Sequence, residues 1–208
     1  MTYEQLFEIL KNSKDIDDLK RYQSDFVELV PGYEVMIGYD QNNHYHQYDL
    51  EEHSLYTVLN LEKGIDDDML YFAALIHDIG KPEARCSSGR EGDTESHFYG
   101  HPEKSYVYTR NHIIPFMKEN GYTFKEKEED RLLYYVLNHD FNMSLRLKSL
   151  RKQITQTDFE TFRKLMYLQI ADAKAHVQLP LIQNKIEICN TWLSDYGREK
   201  YEELCSEN

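Results

Sequence analysis

Apolar residues recur at three- and four-residue intervals along most of this chain, and that spacing confines it to packed helices rather than sheets. Tyr3, Leu6, Phe7 and Leu10 mark one amphipathic segment over about 3–11, and Ile16, Leu19, Tyr22, Phe26 and Leu29 a second over about 16–29. Pro31-Gly32 breaks the chain, and the Tyr-, Asn-, His- and Gln-rich stretch 33–49 reads as a loop. A third helix is expected over about 50–62, stopping near Gly64. Asp66 or Asp67 can cap a fourth over about 67–79, whose apolar side is Met69, Leu70, Phe72, Ala73, Leu75, Ile76 and Ile79. Gly80 stands where a helix-ending glycine belongs, with Pro82 soon after. Residues 83–100 read as an irregular loop with room for a short hairpin. Further helices fit about 102–120, 127–139, 158–178 and 181–204, the last pair separated at Pro180. Pro102 suits a first helical turn, whereas Pro115 should kink or split its helix. The expectation is an all-α fold with no internal repeat or linker. At 208 residues it is one domain spanning 1–208.

Charge narrows the partners. Acidic residues outnumber basic ones 37 to 24, a net charge of −13, so most of the surface should repel a nucleic-acid backbone and duplex DNA is excluded. A small nucleotide, or an RNA end entering a locally positive pocket, stays compatible. No window approaches the roughly 18 apolar residues of a membrane span. Met-Thr-Tyr-Glu-Gln-Leu-Phe at the start has neither a basic beginning nor an apolar run, so no signal peptide is expected. Cys86, Cys189 and Cys205 are too few and scattered for a disulfide framework and are expected to be reduced thiols in a cytoplasm.

The chemistry concentrates at the end of the fourth helix. His77-Asp78 closes an otherwise apolar helix, where burying the pair costs free energy unless it has a partner. A divalent cation would offset that cost, since neutral imidazole and carboxylate suit transition metals. Adjacent helix positions differ by about 100°, so the two can converge only at a helix end. A lone His-Asp pair is most often a satisfied polar pair. Here His53 lies one helix earlier, and Asp172 sits in Ile170-Ala171-Asp172-Ala173, where small neighbours let an ion or a helix approach.

His53, then His77-Asp78, then the distant Asp172 resembles the HD superfamily of metal-dependent phosphohydrolases. The resemblance spans about residues 44–176, nearly two thirds of the chain. Tyr45-His46-x-x-Asp49, Ile76-His77-Asp78-Ile79-Gly80-Lys81-Pro82 and Phe98-Tyr99-Gly100-His101-Pro102-Glu103 are similar to the HD domains attached to tRNA nucleotidyltransferases and related poly(A) polymerases. The chain departs from that subgroup at Pro102, between the His and the Glu. It also lacks the Gly-Ser or Gly-Gly motif with paired aspartates of a nucleotidyltransferase head; Asp66-Asp67-Asp68 reads as capping.

The resemblance implies an HD-domain helical bundle with its metal-site core over about 44–178 and flanking helices at both ends. It implies a metal held by His53, His77, Asp78 and Asp172, with His101 and His139 as ligands to a second ion or as phosphate contacts and a general acid. The ion would be Mn, Ni, Co, Fe or Mg. The implied activity is a phosphomonoesterase or phosphodiesterase acting on a nucleotide, cyclic nucleotide or RNA-end phosphate. Asp78 would orient the attacking hydroxide, and Lys81 and Lys104, with His101 if it is free, would offset developing charge. Lys81, Lys104, Arg85, His46 and Tyr99 are the expected substrate contacts, Tyr45 and Tyr99 being able to stack on a base. His44 reads as a surface or capping residue, His97 can line the pocket mouth, and His112 and His176 are expected to satisfy helix packing. Two rivals share the resemblance, a di-iron oxygenase on the six-ligand site and a nucleotide sensor without turnover. The intact four-residue set argues against the sensor.

Overall fold

A computed structural model describes residues 1–145, 151 and 154–206. Its α-helices are α1 (Tyr3–Asn12), α2 (Ile16–Lys20), α3 (Gln23–Leu29), α4 (Leu50–Asn60), α5 (Asp68–Ile76) and α6 (Lys81–Ala84). They continue with α7 (His101–Tyr108), α8 (Ile114–Glu119), α9 (Glu128–Asn138), α10 (Phe159–Ala175), α11 (Pro180–Leu193) and α12 (Asp195–Ser206). Among the described residues there is no strand. The hairpin expected in 83–100 is reduced to one antiparallel bridge joining Cys86 and His97. No described helix is long and apolar enough to cross a membrane.

The centre of the bundle is α5. Every residue from Met69 to Ile76 is buried, and the helix is walled in by α1, α4, α9 and α10. Each large apolar side chain so removed from water contributes roughly 1.5–3 kcal/mol, which makes α5 a firm support for whatever its end carries. Its start is fixed by Asp67, one of the two caps the sequence offered. The carboxylate accepts from the Leu70 N–H at 3.3 Å, the Tyr135 hydroxyl at 3.1 Å and the Lys164 ammonium at 2.8 Å, tying α5 to α9 and α10. Along one flank α10 lies against α4 and α11.

Several expected helices are interrupted. The 16–29 segment breaks at Arg21-Tyr22, yet its apolar period continues because α2 and α3 bury the same side, with Leu19, Phe26 and Leu29 all in the core. The 102–120 segment runs on past Pro115 through a π-helical turn, Thr109–Ile113, placed just before α8. That wider turn accommodates a residue that cannot donate a backbone hydrogen bond. The 181–204 segment divides at Ser194, and Gly197 follows because a Cβ there would lie 1.9 Å from the Trp192 carbonyl oxygen.

Candidate metal centre

His53, His77, Asp78, His101, His139 and Asp172 come from α4, the end of α5, the start of α7, the end of α9 and the last turn of α10, and they meet at one place. His53, His77, Asp78, His139 and Asp172 are each no more than 3% exposed. Convergence of the adjacent pair depends on how α5 ends. After Ile76 the chain tightens, with Ile79 N–H reaching the Ile76 carbonyl and Lys81 N–H the Asp78 carbonyl. This turn brings the Asp78 Oδ2 to 3.2 Å from His77 Nε2.

Gly80 permits the turn for a different reason from the one expected. Its backbone is right-handed, with φ −83°, so it is not the left-handed residue that usually ends a helix. A Cβ at Gly80 would stand 2.4 Å from the Ser105 backbone nitrogen and 2.7 Å from Lys104 Cβ. The glycine lets α7 press against the turn between α5 and α6, and its N–H donates to Ser105 Oγ at 2.9 Å. That close approach delivers His101 to the site.

Hydrogen bonding fixes which imidazole atoms face inward. Nδ1 of His77, His101 and His139 lies 2.8–2.9 Å from the backbone carbonyl three residues earlier in each case, Ala74, Phe98 and Val136. A carbonyl only accepts, so each Nδ1 carries the proton and each Nε2 of the neutral ring presents a lone pair to the interior. His77 Nε2 has no hydrogen-bond partner, nor does Asp78 Oδ1. The Nε2 atoms of His101 and His139 stand 3.1 Å apart and 3.1 and 3.3 Å from Asp78 Oδ1. On the other side, Asp172 Oδ1 lies 3.1 Å from His53 Nε2 and 3.8 Å from His77 Nε2. Converging lone pairs and carboxylate oxygens repel one another unless a cation or shared protons lie among them. The donor set therefore fits a divalent transition metal. His53, His77 and Asp172 form one group able to hold an ion and His77, Asp78 and His139 another, the ligand atoms within 4.8 Å of one another in each.

The charges have been arranged to keep both carboxylates ionised. Burial works against ionised Asp78, but His77 and the Lys81 ammonium hold its carboxyl well below the usual range. Asp172 is likewise lowered against its burial, chiefly by Lys185 and His176. Burial is the largest single influence on His77 and favours its neutral form, but the charge and hydrogen bonding of Asp78 together with the charge of Asp172 outweigh it and the imidazole is shifted upward. For His139 burial prevails and the shift is downward.

The site opens into a cavity of about 440 Å³ lined by residues that include Tyr45, His46, Asp78, Lys81, Tyr99 and His101. Lys81 Nζ contacts Asp78 Oδ2 at 2.7 Å, Gln41 Oε1 at 2.8 Å and His46 Nε2 at 3.5 Å. Tyr99 is 69% exposed at the mouth, its ring stacked on His97 at 5.4 Å between centroids; Asp93 grips the other side of that imidazole at 2.8 Å. Arg85 and Lys104 lie outside the lining. Arg85 donates to the Asp40 carbonyl over the Tyr39 ring, and Lys104 pairs with Glu83 at 2.6 Å. His176, expected in helix packing, instead lines the cavity, with its pKa pushed down to about 4 by burial. Sequence reasoning missed Gln41 and Lys185. The latter reaches Asp172 from α11, and no local signal marked either residue.

A family model for the HD domain matches residues 50–174. An alignment 72 positions long is 32% identical to the bifunctional uridylyltransferase/uridylyl-removing enzyme of Ruegeria pomeroyi and takes in 26% of this chain. The chain spans only 8% of the length of that curated relative. No solved structure matches the present chain.

Proposed function

The chain belongs to the HD domain family, and from that premise we propose that it is a metal-dependent phosphohydrolase acting on the phosphoester of a nucleotide, cyclic nucleotide or RNA end. The observation that carries this reading is the set of inward-facing Nε2 atoms of His77, His101 and His139 around two ionised, buried carboxylates. His53, His77, Asp78 and Asp172 would hold one divalent ion. Asp78 divides its oxygens, Oδ2 toward His53 and His77 and Oδ1 toward His101 and His139, which supports a second ion on the latter pair. Bound there, such an ion would bring the pKa of a coordinated water toward neutrality and polarise a phosphoryl oxygen.

The chain's own groups supply the rest. Lys81 is the cation among the described residues lining the cavity, so it meets the phosphoryl oxygens and offsets the charge that grows on them. Gln41 and Asp78 hold its ammonium in place. His46 borders the phosphate position, and Tyr99 offers an exposed face on which a base can stack. His101, partly exposed at the start of α7, either completes the second ligand group or donates a proton to the leaving oxygen. Arg85 and Lys104 enter only as contacts to an extended substrate.

Beyond the family, the motifs around His46, His77 and His101 support a relationship to the tRNA nucleotidyltransferase type of HD domain without its catalytic head. The Ruegeria pomeroyi relative is named in part for uridylyl removal. What carries over is a reaction class, cleavage of a phosphorus–oxygen bond to a nucleotide. The unit would extend beyond the matched region, since α1 packs on α5 and α11 on α10.

The test is phosphate or nucleotide release from a panel of mononucleotides, cyclic nucleotides and RNA 2′,3′ ends with Mn²⁺, Ni²⁺, Co²⁺, Fe²⁺ and Mg²⁺. Turnover by the wild type and its loss in Asp78→Ala supports the proposal. Retained turnover in Asp78→Ala overturns it, and oxygen uptake with Fe²⁺ in place of hydrolysis would favour the di-iron oxygenase reading of the same six ligands.

A further inference from the structure

We propose that Lys185 is a positioning residue for the metal centre, holding Asp172 so that a single carboxylate oxygen faces His53 and His77. The inference rests on the metal reading above. Lys185 lies on α11, one turn and a half after Pro180 starts the helix, and α11 packs along α10. Its Nζ is 3.2 Å from Asp172 Oδ2 and 3.2 Å from Asp140 Oδ1. The two oxygens of Asp172 are thereby given different neighbours. Oδ2 takes the ammonium, while Oδ1 faces His53 Nε2 at 3.1 Å, His176 Nδ1 at 3.5 Å and His77 Nε2 at 3.8 Å.

An ammonium in this position is costly. The Lys185 side chain is only 20% exposed, and withdrawing a charge from water costs several kcal/mol unless carboxylates compensate it. An apolar residue would fill the space between α10 and α11 at less cost, so charge at this point serves placement rather than packing. Asp78 also carries a lysine, Lys81 Nζ on its Oδ2 at 2.7 Å, but that oxygen faces His53 and His77 as well, so only at Asp172 does the ammonium separate the two oxygens. The two lysines differ in a second respect. Lys81 lines the cavity and can touch substrate, whereas Lys185 is not among the lining residues and acts through Asp172. Partners that orient a ligand in this fashion change activity by about 10- to 100-fold when removed.

With Lys185 replaced, Asp172 Oδ2 is free to join its sister oxygen on the metal, and the ligand geometry changes. The experiment is the visible absorption spectrum of Co²⁺ added to the full chain as wild type, Lys185→Met, Lys185→Gln, Lys185→Arg and Asp172→Ala, with steady-state kinetics on whichever phosphoester the wild type turns over. A shifted Co²⁺ spectrum in Lys185→Met is expected, with kcat down about 10- to 100-fold and KM little changed. Lys185→Arg, which keeps a cation between the two carboxylates, should retain the wild-type spectrum. If Lys185→Met does not fold, Lys185→Gln carries the same expectation. A wild-type spectrum in the folded neutral variants, with Co²⁺ binding lost in Asp172→Ala, overturns this inference and leaves the metal reading standing. A wild-type chain that takes up no Co²⁺ overturns both.

Discussion

Replacing Gly80 with Ala should damage the fold and the site together, because only a hydrogen atom fills the gap between α7 and the turn joining α5 to α6 there. The new methyl carbon would lie 2.4 Å from the Ser105 nitrogen and 2.8 Å from the Lys104 carbonyl carbon, both backbone atoms that cannot swing aside. The contact falls short of ordinary van der Waals distance by about 1 Å, so α7 must retreat by about that much. Overpacking of this kind costs about 1–3 kcal/mol. In a chain of this length each kcal/mol lowers Tm by about 2–4 °C, which puts the expected loss at about 2–12 °C. The retreat stretches the Gly80 N–H bond to Ser105 Oγ and carries His101 away from Asp78 Oδ1, now 3.1 Å distant. A 1 Å misplacement of a catalytic group can cost on the order of 100-fold in rate. Thermal melts by circular dichroism and metal-dependent turnover measure the two effects. An alanine variant melting within about 1 °C of wild type, when overpacking should cost several degrees, would refute the reasoning.

Other substitutions probe the framework and its pH response. Asp67→Ala removes the α5 cap and strands the Tyr135 hydroxyl and the Lys164 ammonium. A loss of about 3–5 kcal/mol is expected in urea unfolding, as for a broken buried ion pair, and a change under about 1 kcal/mol would contradict the hub assigned to it. Asp158 caps α10; burial raises its pKa, but hydrogen bonds from the Thr161 N–H and hydroxyl outweigh that and the net shift is downward. A carboxyl lowered on folding stabilises above its unfolded pKa of about 4 and loses that contribution as pH falls through the folded value. Asp158→Ala should therefore cost about 1 kcal/mol at pH 7 and progressively less below about pH 4. An undiminished difference in acid would sink that account.

The parts legible in the sequence were those that residue type and periodicity specify. The unbroken apolar run of α5 announced its burial, whereas His53, His77, Asp78 and Asp172 were grouped through the resemblance to the HD superfamily, since a His-Asp pair by itself is more often a satisfied polar pair. What was hidden depends on tertiary approach. Arg85 and Lys104 follow the ligand motifs closely in the chain, yet helix direction sends them to Asp40 and Glu83. Lys185 and Gln41 lie 13 and 40 positions from the aspartate or lysine they hold, with no motif to mark them. Gly80 looked like a helix terminator because glycine serves both left-handed turns and close approaches, and sequence does not distinguish them. The breaks at Arg21 and Ser194 were invisible because the apolar period runs through them.

The claim on which everything else depends is that the inward-facing imidazoles and carboxylates hold a divalent ion. Equilibrium dialysis against Mn²⁺, Co²⁺ or Ni²⁺ followed by elemental analysis tests it most directly. The account predicts at least one equivalent of metal per chain for the wild type and its loss in Asp78→Ala, whose oxygens face both histidine groups. Equal metal in the two proteins, with both folded, would contradict it.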